Sequence, residues 1–296
     1  MVSGFFCFLA GMMIMVEQTR RETRPLSRST RRPAECAVPA KEVANWAHRH
    51  KEILYVPLAL GLFAGLWQLV VWLGDYPAFI LPSPGRVYAK ALRALGDGLL
   101  TWHAGVTLTE ILGGLALGLP IAVVLGYAMA KSRSLERLLS PYIVASQSVP
   151  IVALAPLLVI WFGTGRLSKV LVCALTIFFP MLVNTVVGVR AVDADLRDLL
   201  RSLRATPWQT FTKLEVPSAL PVLLGGLKVS VTLSVIGAVV GEFVAADRGL
   251  GFLINVARGN FDTPMMFVAL LTLVAIAMAL YLAVVLAEVL MLKWRR

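Results

Sequence analysis

Apolar and polar positions alternate on a coarse scale along this chain. Six long apolar runs, Ile53–Leu73, Ala104–Ala130, Pro141–Phe162, Leu167–Val189, Leu220–Val244 and Pro264–Leu292, are separated by polar connectors. Each is near or above the roughly 18–20 residues that a helix needs to cross a bilayer. The pattern predicts an all-α, polytopic membrane protein with six transmembrane helices in residues 53–296. An even number of spans places both termini on one side. The basic residues ahead of the first run, with Lys293, Arg295 and Arg296 at the other end, assign that side to the cytoplasm.

Only one long polar stretch, Arg190–Pro221, is enclosed between two such runs, the fourth and the fifth. Within it Leu196, Leu199, Leu200 and Leu203 recur at i, i+3, i+4 and i+7, the spacing of one apolar stripe on a surface helix. Asp193 and Asp195 open that helix and Arg201 and Arg204 close it, as its dipole favours. Thr206 is a suitable N-cap for a second short helix, with Pro207 at its first position and Trp208 and Phe211 on it, before Pro217 and Pro221 interrupt the pattern. The expectation is a cytoplasmic helix pair whose leucines and aromatics fit a groove in a soluble partner. An amphipathic element lying on lipid suits the leucines but not the aspartates, since such helices favour Lys and Arg on their polar face.

Composition narrows the class. With 58% hydrophobic and 15% charged residues and a mean hydropathy of +0.78, the 296-residue chain is too apolar for an ordinary soluble domain. The net charge of +11 follows membrane orientation better than phosphate binding, so no nucleic-acid partner is expected. Six arginines in Arg20–Arg32, among prolines and serines, read residues 1–52 as a basic, disordered cytoplasmic arm. Cys7, Cys36 and Cys173 are too scattered for a disulfide framework or a metal site.

Chemistry on the chain itself is sparse. No G-x-x-x-x-G-K-[ST] phosphate loop occurs, and His48 and His50 read as solvated residues beside Lys51. Glu110, Glu242 and Glu288 all fall near the ends of apolar runs, where snorkelling to water competes with a role on a transport pathway. Gln147, Asn184 and Glu242 are the pathway or gate candidates, with interhelical hydrogen bonding as the plainer role. Gly114 and Gly118, and Gly225, Gly226, Gly237 and Gly241, read as points of close helix approach. An ion-coupled secondary transporter would need charges near the membrane midplane, and almost none are visible in the runs. A membrane-bound enzyme would need a polar cluster on one face, and none stands out.

The polar loop resembles the EAA loop of binding-protein-dependent ABC importer permeases. That loop has an acidic or small triplet, a glycine a few residues on, and an I-x-L-P type ending. Here Leu200-Arg201-Ser202 stands at the triplet and Arg204 at the glycine, while Leu214-Glu215-Val216-Pro217-Ser218-Ala219-Leu220-Pro221 matches the ending. Further likeness runs through Ile80-Leu81-Pro82-Ser83-Pro84, Val149-Pro150 to Pro156, Trp161-Phe162-Gly163, Gly241-Glu242-Phe243 and Gly249-Leu250-Gly251. It is similar to the subfamily for nitrate, sulfonates, taurine and nitrogen-heterocycle vitamins or their precursors, closer to the riboflavin and thiamine-pyrimidine type. The resemblance implies a bacterial inner-membrane permease, not an enzyme. Its partners would be a cytoplasmic ATP-binding subunit, an extracytoplasmic substrate-binding protein and a second permease copy. ATP and magnesium would be used by the ATPase and no cofactor bound by this chain. It further implies that Leu196, Leu199, Leu200, Leu203, Arg204, Thr206, Trp208 and Phe211 form the ATPase-coupling surface.

Overall fold

The computed structural model describes residues 58–59 and 61–292. The basic arm and Lys293–Arg296 lie outside them. The chain divides into two units, Met1–Leu60 and Gly61–Arg296. The second contains α1 (Gly61–Gly74), α2 (Pro84–Gly96), α3 (Leu99–Lys131), α4 (Arg133–Gln147), α5 (Ile151–Phe162) and α6 (Arg166–Arg190). After these come α7 (Ala194–Ser202), α8 (Pro207–Thr210), a π-turn (Phe211–Glu215), α9 (Val216–Ala245), α10 (Leu250–Gly259) and α11 (Thr263–Met291). Among the described residues there is no strand, in agreement with the all-α expectation.

Among the described residues four helices are long and apolar enough to cross a membrane: α3, α6, the continuous α8–α9 and α11. The third apolar run differs from expectation. It is two helices, α4 and α5, meeting at 96°, so the described residues hold up to five spans if the bent pair is one. The cause is local: Pro150 is extended (φ −66°, ψ 125°), lacks an amide hydrogen, and disfavours a helical residue before it. Ser146 and Ser148 turn their hydroxyls back onto the carbonyls of Tyr142 (2.7 Å) and Val144 (3.3 Å), closing the end of α4.

Contacts centre on α6, which packs most extensively against α3 and α9, with α5 against α6 and α9, and α11 against α9 and α10. Small residues allow the approach. A Cβ on Gly118 would lie 2.8 Å from the Ala174 carbonyl oxygen, and one on Gly126 2.8 Å from that of Leu182. On α9, a Cβ at Gly237 would lie 2.8 Å from the Thr176 hydroxyl. Gly225 departs from the expectation: nothing lies within 4 Å of the position its Cβ would take, so it is not a packing glycine in this chain. At the end of the bundle where α2 meets α11, Lys90 pairs with Asp262 at 2.5 Å, and Asp262 caps α11 by accepting from the Met265 amide at 3.1 Å.

Because the obstruction at Gly118 is backbone and cannot rotate away, Gly118→Ala is expected to destabilise the bundle by about 1–3 kcal/mol. Gly225→Ala should leave the melting temperature in detergent unchanged or slightly raised. Equal melting shifts for the two variants would contradict the packing described.

Candidate functional site

The polar loop begins where α6 ends. Asp193 caps α7, accepting from the Asp195 amide at 3.0 Å, and Arg197 reaches back to the Val189 carbonyl at 2.9 Å. Leu196, Leu199, Leu203 and Trp208 all point into the open, Leu203 and Trp208 with 69% and 71% of their surface exposed. Leu200 and Phe211 are half-buried. The anticipated apolar stripe therefore exists, and much of its surface is open among the described residues.

The turn after α7 bears on one of the departures from the EAA pattern, the arginine at the glycine position. Arg204 has φ +53°, its amide donates to Arg201 O at 2.9 Å, and the next amide, of Ala205, donates to Leu200 O at 2.9 Å. These two bonds make a Schellman ending, in which the left-handed position ordinarily falls to glycine. An arginine held there costs about 1–2 kcal/mol of backbone energy. Thr206 then caps α8 as expected, in a reciprocal box with Gln209: the Gln209 amide donates to the Thr206 hydroxyl at 3.3 Å and the Thr206 amide to the Gln209 side chain at 2.9 Å.

The expected second short helix is corrected. It does not stop at Pro217 or Pro221 but runs on, so Pro207–Ala245 is one helix of 39 residues. The π-turn makes this feasible. The Val216 amide bonds to Phe211 O, five residues back, and Pro217, which has no amide hydrogen, falls at the start of the regular helix that follows.

Glu215, at the end of that turn, is the anchor that sequence reasoning passed over. It is 2% exposed, pairs with Lys131 at the end of α3, and accepts from the Tyr127 hydroxyl at 2.8 Å. Phe211 meets the Tyr127 ring edge-on at 5.3 Å and Trp208 continues the stack at 5.5 Å. Beside them a cleft of about 240 Å³ is lined by Val123, Tyr127, Thr185, Val189, Phe211 and Leu223. The signal was present: Glu215 is the one carboxylate in the Leu214–Pro221 segment.

Gln147, Asn184 and Glu242 are not brought to one place. Gln147 ends α4 at the 96° bend and is exposed. Asn184 donates to Pro180 O at 2.8 Å and packs on Gly226, whose Cβ would lie 2.7 Å from the Asn184 Cβ. Glu242 is sixteen residues further along α9 than Gly226, about 24 Å at the helical rise.

Of the two roles left open for Glu110 and Glu242, snorkelling to water is excluded; they are 2% and 1% exposed, inside the protein. Intramembrane charge is also not nearly absent: Lys228, midway along α9, pairs with Glu288 of α11 at 2.5 Å, and Lys169 is buried, its ammonium donating to Thr164 O at 2.7 Å.

Comparison with known proteins gives concordant results. Residues 118–293 match the family model described as the binding-protein-dependent transport system inner membrane component. The chain is 49% identical over 241 residues to the riboflavin transport system permease protein RibX of Chloroflexus aurantiacus, covering 81% of this chain and 90% of that one. It is 36% identical to the formylaminopyrimidine transport permease protein ThiX of Halalkalibacterium halodurans, covering 78% and 92%. To the taurine transport system permease protein TauC of Escherichia coli it is 32% identical, covering 77% and 86%.

Arg204→Gly is expected to raise stability by about 1 kcal/mol with the loop unchanged, because glycine takes positive φ without penalty. A melting curve of the purified chain that moves downward would refute the turn. Lys131→Met strands a buried carboxylate and is expected to cost about 1–3 kcal/mol, less than a fully buried pair because the lysine is partly in solvent. Adding Glu215→Gln should recover part of that loss, which a double-mutant cycle of melting free energies measures.

Proposed function

Since this chain belongs to the binding-protein-dependent transport system inner membrane component family, a family of transport permeases, we propose that it forms half of the pathway of an ATP-driven importer. The observation that carries this reading is the exposed row of Leu196, Leu199, Leu203 and Trp208 on a loop that is otherwise capped and tied down. Apolar side chains this open on a rigid support mark a surface for another protein. Its occupant, on this reading, is a cytoplasmic ATP-binding subunit, which uses ATP and magnesium while this chain binds neither. Closure of that subunit pushes on Leu199, Leu203 and Trp208. The push passes through Phe211 and Glu215 into α9 and, by way of Lys131 and Tyr127, into α3. Two discrete arrangements of these packed helices then give access from one side of the membrane or the other.

The same reading counts six spans, with α1 belonging to the first and the α4–α5 pair forming the third, and both termini in the cytoplasm of a bacterial cell. A second copy of the chain completes the pathway, and an extracytoplasmic binding protein delivers the solute. The solute is a small nitrogen heterocycle of the riboflavin or thiamine-pyrimidine kind, a choice supported by the higher identity to the riboflavin and formylaminopyrimidine permeases than to the taurine permease. A sulfonate, nitrate or taurine importer is the within-family alternative. The Lys228–Glu288 pair is an observation that favours an ion-coupled carrier, but the two charges neutralise each other across α9 and α11 and serve equally to hold those helices together.

Trp208→Asp and Leu203→Asp are expected to abolish co-purification of the ATP-binding subunit and ATP-driven riboflavin uptake into proteoliposomes, with membrane insertion intact. Retention of the ATPase by both variants would sink the docking role. Normal assembly with uptake of taurine and not riboflavin would move the substrate to the alternative class.

A further inference from the structure

At the end of the bundle remote from Glu215, three consecutive backbone amides leading into α10 are each taken by a side chain of another helix. The Gly249 amide donates to His103 Nδ1 at 3.0 Å, the Leu250 amide to the Thr107 hydroxyl at 2.8 Å, and the Gly251 amide to Glu242 Oε2. Thr107 in turn donates to Glu242 Oε1 at 2.6 Å. The fit leaves no room. Gly249 has φ +109°, and a Cβ there would collide with the Glu242 carboxylate at 2.2 Å. His103 Nδ1 accepts, so its ring is neutral with the hydrogen on Nε2. The amides that open α10, orphaned in any helix, are here bound by α3 and α9.

A second carboxyl lies against this arrangement. Glu110, one turn beyond Thr107 on α3, is within hydrogen-bonding reach of Glu242, and its Oε2 is buried with no partner. No cation pairs with either acid among the described residues. Lys169, on α6 beside them, spends its ammonium on Thr164 O and Gly165 O, and Cys173 is a buried member of the hydrophobic core. Two ionised carboxylates cannot face each other in such a place without a donor between them. Glu242 already has donors on both oxygens, whereas Glu110 Oε2 has none among the described residues. We infer that Glu110 carries a proton and donates it to ionised Glu242, and that this acid–carboxylate pair is the latch positioning α10 on α3 and α9. Glu110 thus acts through Glu242 as a positioning residue, outside the Leu196–Phe211 surface.

The test uses the full chain in lipid nanodiscs. Its infrared spectrum should contain the carbonyl stretch of a protonated carboxylic acid that resists deuterium exchange, and Glu110→Gln should remove it. Because the glutamine amide still donates to Glu242, hydrogen exchange at Gly249–Gly251 should stay as slow as in the parent chain. Glu110→Leu, of similar size but with no donor, should speed that exchange by about tenfold or more. The inference is overturned if the parent spectrum has no such band, if the band survives Glu110→Gln, or if the leucine and glutamine variants exchange alike. The parent spectrum requires no variant to fold, so the first outcome stands by itself.

Discussion

Close approach of α6 to both α3 and α9 is the constraint on which the remaining structure rests. In a bilayer, helices gain little from burying apolar surface against one another, and association depends on shape and on polar contacts. Gly114, Gly118 and Gly126 bring α3 against α6, while Gly226 and Gly237 bring α9 against the same helix. Cys173 sits where the three meet, fully buried. Once the axes are this near, side chains from α3 and α9 reach each other at either end of α6, and the polar groups found there have partners because of it.

Both polar ends use the same device. A buried carboxylate on the α8–α9 helix is gripped by groups on α3: Glu215 by Lys131 and Tyr127, Glu242 by Thr107. The two differ in what they fasten. Glu215 fastens the polar loop, whose apolar side chains remain open, and Glu242 fastens the entry to α10. Buried ionised or polar groups of this sort add little net stability, but leaving one partner unmatched is costly, so they fix geometry more than they strengthen it.

Much of the fold was legible because length and apolarity alone mark a spanning helix, and because caps obey local chemistry. Thr206 and Pro207 opened a helix where their side chains said one would open, and the leucines from Leu196 to Leu203 formed one stripe. The misreadings have two sources: prolines whose local backbone geometry the apolar pattern does not show, and charges whose surroundings lie across the bundle and not along the chain. Pro150 broke a run that Pro120 and Pro180 did not break in theirs. Pro217 was absorbed by a π-turn that no periodicity announces. Glu110 and Glu242, near the ends of their runs, looked free to reach water until α6 and α10 were placed around them. Lys228 and Glu288, sixty residues apart, became a pair only through the crossing of α9 and α11.

The π-turn between α8 and α9 has a mechanical meaning. A single uninterrupted rod, 39 residues or about 58 Å long at the usual rise, bears Trp208 near one tip and Glu242 near the other. No loop lies between the two tips. On the importer reading proposed above, a tilt imposed at the aromatic tip would be carried to the carboxylate tip along one helix, so that access at the two faces would be geared together.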